Sequence, residues 1–215
     1  MENAAKLLYS KKSGEYELFV SAFLYPQGLR AFFKQCDLLK PDLRLLDAGC
    51  GTGIVSLSLI EALHSCNHLH KSIDAFDLSP SMLARFQNKL DKRKMDNVTL
   101  CQSNVLELEN LPQRWKSYDL IVSASMLEYI PREKLVAALS GLKSLLSEQG
   151  TFLLFITKRN LLMNFLIGHL WSSNLYSHQE LIEAFSLAGF TKVVFRKFPL
   201  SFSWLNLWGY IIEAR

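Results

Sequence analysis

The sequence of 215 residues lacks the marks of several protein classes. Its four cysteines form no CxxC pair, so we expect free thiols in a reducing, cytoplasmic compartment. The histidine-rich stretch 64–70 lacks CxxC or HxxxH spacing, so we expect no metal site there. No run of about 18 or more apolar residues is present, which argues against a transmembrane segment. The N-terminus has no basic-then-apolar layout of a signal peptide. A net charge of +4 is too small to indicate a nucleic-acid partner.

The chain also lacks internal repeats, low-complexity tracts and a Pro/Gly/Ser-rich linker. Its length suits one well-cored domain and is short for two, so we predict a single domain over residues 1–215. Hydrophobic residues make up 49% of the sequence, which suits a sheet that is buried on both faces.

Short apolar runs alternate with longer segments of helical periodicity. The predicted strands are 43–48, 72–77, 98–103, 118–123 and 151–157. The predicted helices are 54–64, 79–94 with Ser79 as N-cap, 132–146, and one that begins at the capping box 177–180 and ends at Gly189. Strand–helix alternation predicts an α/β fold with a doubly wound, mostly parallel sheet and right-handed crossovers.

The pattern changes after Gly189. The segments 190–198 and 204–214 resemble two strands around a turn at 199–201, without a helix between them. They complete a seven-stranded sheet and predict an antiparallel last strand. Residues 1–40 are predicted to form a helical cover, with helices at 16–25 and 29–39.

A glycine-rich turn, Asp47-Ala48-Gly49-Cys50-Gly51-Thr52-Gly53, follows the first strand and opens a helix. Alternate glycines let the main chain approach a ligand closely, and the helix start offers free N–H groups to it. The dinucleotide fingerprint G-x-G-x-x-G does not fit, because the third glycine comes one residue early. Asp47 before the first glycine is also foreign to that fingerprint, and its carboxylate can hold a cation such as a ligand ammonium group.

Asp77 ends the second predicted strand. A carboxylate at this place can accept hydrogen bonds from both hydroxyls of a ribose. Nicotinamide and adenosylmethionine sites both use this device, so Asp77 by itself leaves the two cofactors open.

Together these segments resemble the class I methyltransferases that bind S-adenosylmethionine. The turn 47–53 matches the Asp-x-Gly-x-Gly-x-Gly core, and Asp77 matches the ribose-binding acid. Ser103-Asn104-Val105 resembles the segment that contacts the adenine, although the family usually has Asp where this chain has Asn104. The stretch 118–131 resembles the fourth motif, with Leu-Glu-Tyr where many members have Leu-Glu-His.

The resemblance implies S-adenosylmethionine as cofactor and S-adenosylhomocysteine as product. It also implies a set of cofactor-binding residues on the first four strands. They are Asp47, Gly49, Cys50, Gly51, Gly53, Asp77, Leu78, Met82, Ser103, Asn104, Val105 and Ser123.

The sulfonium already activates the methyl group, so a general base is needed only for a protonated nucleophile. Tyr129 stands where relatives often have His, and His169 and His178 lie between the fifth strand and the next helix. These three are the catalytic candidates, and no catalytic residue is assigned. Glu128 is expected to be structural or solvated.

The apolar segment 159–176 is predicted to be a lid insertion that favours a small hydrophobic acceptor, lipid-like or aromatic. Core packing and contact with a membrane surface are the alternatives. Methylation of oxygen, nitrogen or carbon stays open, as does the oligomeric state. Ser123-Ala124-Ser125-Met126 replaces the Asn/Asp-Pro-Pro-aromatic motif of enzymes that methylate amino groups of nucleobases, which argues against nucleic acid. Two rival functions remain, an inactive or accessory cofactor-binding protein and a nicotinamide-dependent oxidoreductase.

Overall fold

Seven strands lie in one sheet in the computed structural model, which describes residues 24–67, 72–159 and 173–215. The strands are β1 (Arg44–Ala48), β2 (Ser72–Asp77), β3 (Val98–Gln102), β4 (Tyr118–Ala124), β5 (Leu146–Thr157), β6 (Val193–Arg196) and β7 (Gly209–Ala214). The helices are α1 (Tyr25–Gln35), α2 (Ile54–Ser65), α3 (Pro80–Arg93), α4 (Leu135–Ser144) and α5 (His178–Leu187).

The strand order is β3-β2-β1-β4-β5-β7-β6. Strands β1 to β5 pair in parallel, whereas β7 is antiparallel to both of its neighbours, β5 and β6. The predicted doubly wound sheet with an antiparallel last strand is therefore confirmed. The winding direction reverses between β1 and β4, and in such sheets the crevice at the carboxyl ends of these two strands is where ligands bind.

Both faces of the sheet are buried, each under its own hydrophobic cluster. Successive side chains of a strand point to opposite faces, so Leu45 packs in one cluster and Leu46 in the other. The first cluster includes helix α1, where the ring of Phe32 lies 5.5 Å from that of Phe155 on β5. The second contains Phe152 of β5 and faces α4 and α5.

Two predicted helix starts are confirmed in detail. The Ser79 hydroxyl accepts a hydrogen bond from the Met82 N–H at the start of α3. At the start of α5, the Ser177 hydroxyl accepts from the Glu180 N–H, and the Glu180 carboxylate accepts from the Ser177 N–H. Local side-chain chemistry decides both boundaries.

Three predicted boundaries are wrong. The helix predicted over 29–39 spans Tyr25–Gln35. The one predicted over 132–146 is a 3-10 turn, Arg132–Lys134, followed by α4, and it ends before Leu146. Leu146 instead begins β5, five residues before the predicted start, because the Tyr118 N–H donates to the Leu145 carbonyl and draws this stretch beside β4.

The end of the chain also departs from the pattern. Residues Leu200–Leu207 form 3-10 turns rather than strand, and β7 begins only at Gly209. Leu205 of this segment packs against Gly28 of α1, where a Cβ would lie 2.3 Å from its Cδ1. In this segment, burial of Leu205 against α1 takes precedence over the alternation of apolar residues that predicted a strand. Strands form only at the shorter β6 and β7.

The predicted lid 159–176 lies mostly outside the described residues, as do positions 1–23 of the predicted N-terminal cover. Within the described ranges, no helix has both the length and the apolar character to cross a membrane.

Candidate active site

A pocket opens at the carboxyl ends of β1, β2 and β4, in the crevice where the winding reverses. Most of the predicted cofactor residues line it. They are Gly49, Cys50, Gly51, Asp77, Leu78, Met82, Ser103, Asn104 and Val105. Asp47, Gly53 and Ser123 lie outside this lining.

The three glycines of the turn differ in what surrounds them, although each has a positive φ. A Cβ on Gly53 would lie 2.1 Å from the ring of Phe86, and one on Gly49 would lie 2.4 Å from the Met126 side chain. A Cβ on Gly51 would meet no atom within 4 Å. Gly51 is therefore the glycine whose main chain faces the open pocket, whereas Gly53 allows close packing of α3 on the turn.

Asp47 ties the turn to helix α2 from behind. Its Oδ2 accepts hydrogen bonds from the N–H and the hydroxyl of Ser56, at 3.1 and 2.6 Å. The side chain is only 3% exposed, and burial raises its pKa to about 7. Its Oδ1 has no hydrogen-bond partner among the described residues. Asp47 is not among the residues that line the pocket, and its role in holding a ligand cation stays a prediction.

Asp77 lies over the turn at the end of β2. One carboxylate oxygen accepts from the Gly51 N–H at 2.9 Å and the other from the Ser79 N–H at 2.8 Å. Burial raises the pKa of Asp77, and these two hydrogen bonds oppose that effect. Each oxygen keeps a lone pair for a further donor, so the carboxylate can still accept from two vicinal hydroxyls.

Asn104 caps its own turn at the end of the pocket beyond β3. Its Oδ1 accepts from the Leu106 N–H at 3.0 Å, and its Nδ2 donates to Glu107 at 3.3 Å. Next to it, the buried Ser103 hydroxyl has no hydrogen-bond partner among the described residues. This hydroxyl lies in the pocket wall and can form a hydrogen bond with a polar ligand.

Of the three catalytic candidates, Tyr129 lines the pocket. His178 does not: it is exposed at the start of α5, and its ring stacks on that of Phe195, with centroids 3.9 Å apart. His169 lies outside the described residues. Glu128 is buried and bonded to Thr157, in line with a structural residue.

Sequence reasoning missed part of the wall. The missed residues are Tyr25, Thr52, Ile54, Val55, Phe76, Ser79, Ala124, Ser125, Met126 and Ile130. The stretch 124–126 lies at the carboxyl end of β4, so its place next to the end of β1 was available as a signal. Tyr25 carried none, because only the packing of α1 brings it to the pocket.

In the ranges that the structure describes, no three side chains of the His, Cys, Asp and Glu types are grouped as a metal site requires. The side chains in the pocket lining that can lose a proton are the Asp77 carboxyl, the Cys50 thiol and the phenols of Tyr25 and Tyr129.

Comparison with known proteins supports the resemblance to methyltransferases that the sequence motifs indicate. Residues 45–150 match the family model of a methyltransferase domain. The malonyl-[acyl-carrier protein] O-methyltransferase of Paenibacillus sp. (strain JDR-2) is 32% identical over 53% of this chain and 38% of its own length. The highly reducing polyketide synthase easB of Emericella nidulans is 28% identical over 71% of this chain and 6% of its own length. The chain thus spans well under half the length of these relatives.

Among solved structures, magnesium protoporphyrin IX methyltransferase from Synechocystis PCC 6803, with bound SAH, matches with a TM-score of 0.74. The match covers 100% of this chain and 99% of that chain at 19% identity, so it speaks for the fold. The family model covers the strands that build the pocket, and the fold extends over the rest of the described residues. Residues 45–150 therefore carry a methyltransferase domain, within a fold that the chain shares with the solved magnesium protoporphyrin IX methyltransferase.

Proposed function

We propose that the protein transfers a methyl group from S-adenosylmethionine to a small hydrophobic acceptor. One observation carries the proposal: the Gly51 main chain faces open space, and its N–H donates to the Asp77 carboxylate beside it. A turn without side-chain bulk next to a carboxylate with free lone pairs suits a ligand that carries a ribose.

The pocket lining offers residues for the ribose, the adenine and the methionine part of the proposed cofactor. Asp77 would hold the ribose hydroxyls, and the 103–105 stretch, with the unpartnered Ser103 hydroxyl, would hold the adenine. The turn at Gly49–Gly51 would lie against the methionine part. The bound cofactor supplies a sulfonium methyl that is already activated, so these residues have only to bind and orient it.

We place the acceptor beyond the turn, toward the residues that follow β4. The lining residues there would be apolar or aromatic, namely Tyr25, Met126, Tyr129 and Ile130. Such a wall favours an aromatic or lipid-like molecule and excludes water from the reacting atoms. The phenol of Tyr129 is the catalytic candidate that we place against this acceptor.

Calorimetry with S-adenosylhomocysteine and, separately, with NADH tests the cofactor. We expect binding of the first only, because the early Gly53 is packed on Phe86 instead of following the dinucleotide pattern. Asp77→Ala should weaken binding of S-adenosylhomocysteine about 100-fold, because two hydrogen bonds to a charged group are lost. Asp96→Ala, which removes an exposed carboxylate on the opposite edge of the sheet, is the matched control.

Turnover is then measured as release of S-adenosylhomocysteine with a panel of aromatic and lipid-like acceptors. Tighter binding of NADH, or equal effects of the two Asp variants, would contradict the proposed cofactor. Binding without turnover on any acceptor would instead indicate an accessory protein.

A further inference from the structure

The 3-10 turn Leu127–Tyr129 after β4 has two sides. Leu127 and Glu128 are buried, whereas Met126, Tyr129 and Ile130 line the pocket. One short turn therefore joins the interior of the protein to the acceptor side of the proposed site. We refer to residues 126–130 as the acceptor wall.

Glu128 is an unusual residue for this interior position, because it is only 2% exposed. One carboxylate oxygen accepts from the Thr157 N–H at 2.9 Å and the other from the Thr157 hydroxyl at 3.0 Å. Burial raises its pKa to about 7. A buried carboxylate is costly unless it is hydrogen-bonded, and here both oxygens bind one residue at the end of β5.

The main chain of the acceptor wall binds a second segment. The Glu128 carbonyl accepts from the Asn174 N–H at 2.7 Å, and the Ile130 carbonyl accepts from the Asn174 side-chain amide at 2.7 Å. Further on, Arg132 donates to the Leu175 carbonyl at 3.3 Å. The wall is thus held between Thr157 on one side and residues 174–175 on the other.

We propose that Glu128 is a positioning residue for methyl transfer, which holds the acceptor wall in place and acts through Met126, Tyr129 and Ile130. This inference rests on the proposed function, since the wall matters only if an acceptor binds there. A polar side chain is needed at position 128 because an apolar one of similar size would leave the Thr157 N–H and hydroxyl without this protein acceptor. No contact joins Glu128 to Gly51 or Asp77 among the hydrogen bonds of the described residues.

This geometry separates the two halves of the site. Loss of the Glu128–Thr157 pair should loosen the acceptor wall and leave the cofactor half unchanged. Glu128→Leu removes both acceptor oxygens, whereas Glu128→Gln keeps an oxygen for the Thr157 N–H and an NH2 group that can donate to the Thr157 hydroxyl oxygen. Thr157→Val removes the hydroxyl from the other partner, and Thr157→Ser keeps it.

Hydrogen exchange read by mass spectrometry on the whole chain measures the wall directly. In Glu128→Leu and in Thr157→Val we expect about tenfold faster exchange in peptides that cover 126–131 and 173–176. Glu128→Gln and Thr157→Ser should behave as the wild type, and Glu133→Leu, an exposed position nearby that receives the same change as Glu128→Leu, serves as control. Peptides from β1 and β4 should exchange as before.

Calorimetry with S-adenosylhomocysteine is the second readout, and its affinity should change less than about twofold in every variant. Exchange at the wall in Glu128→Leu equal to that in Glu133→Leu would overturn the proposal. Faster exchange throughout the sheet, with a parallel loss of affinity, would also overturn it, because Glu128 would then serve the fold as a whole. If the wild type does not bind S-adenosylhomocysteine, the proposed function fails, and the exchange data still decide whether Glu128 holds the wall.

Discussion

Two glycines of the same turn should fail in different ways when each is replaced by alanine. Gly51 and Gly53 both have a positive φ, 52° and 84°, so an alanine at either place costs about 1–2 kcal/mol of folding free energy. Their surroundings differ. The Cβ of Gly51→Ala would enter open pocket, whereas that of Gly53→Ala would lie 2.1 Å from the fully buried ring of Phe86.

The clash adds to the conformational cost at Gly53 only. Overpacking of a core side chain costs about 1–3 kcal/mol, so Gly53→Ala should lose about 2–5 kcal/mol against about 1–2 for Gly51→Ala. For a chain of this size each kcal/mol lowers the Tm by about 2–4 °C. Binding should show the reverse order, because the new methyl group of Gly51→Ala lies where the cofactor is proposed to be, and we expect a loss of about 100-fold in affinity for S-adenosylhomocysteine.

Thermal unfolding and calorimetry on the two variants give both numbers. Phe86→Leu in the Gly53→Ala background supplies a further check, since a smaller side chain relieves the clash and the double variant should lose less than the sum of the singles. Wild-type affinity in Gly51→Ala would show that the turn does not face the ligand. Equal stability of the two alanine variants would refute the packing argument.

Two further predictions concern stability. Burial raises the pKa of Glu128 from 4.5 to about 7, so the folded state binds its proton more tightly than the unfolded chain. The free energy of unfolding should therefore fall by up to about 3 kcal/mol relative to Glu128→Gln as the pH rises from 4.5 to 7, measured by urea unfolding at several pH values. Tyr176 lies near this carboxyl, with the Arg132 guanidinium over its ring. If the dependence of unfolding free energy on pH were the same in Glu128→Gln as in the wild type, the effect would belong to other groups. Ser177→Ala should cost about 1 kcal/mol through loss of the capping box, against almost nothing for the exposed Ser186→Ala in the same helix, and equal Tm values would contradict this.

Local sequence predicted most of the pocket lining that we assign to the cofactor. A strand, a glycine-rich turn and a helix follow one another in the chain, and Asp77 ends the neighbouring strand. Parallel strands bring their carboxyl ends to one edge of the sheet, so these residues had to meet there once the strands were recognised. The helix caps at Ser79 and Ser177 were equally readable, because a cap depends on residues three positions apart.

Tertiary structure decided what each of those residues does. The same glycine pattern contains one glycine that faces the pocket and one that packs on Phe86, and only the position of α3 tells them apart. Asp47 lies behind the turn because Ser56 of α2 binds it. Glu128 holds Thr157, and Tyr25 reaches the pocket through α1. Contacts between residues far apart in the chain depend on how the helices pack on the sheet, and this packing cannot be predicted from a local sequence pattern.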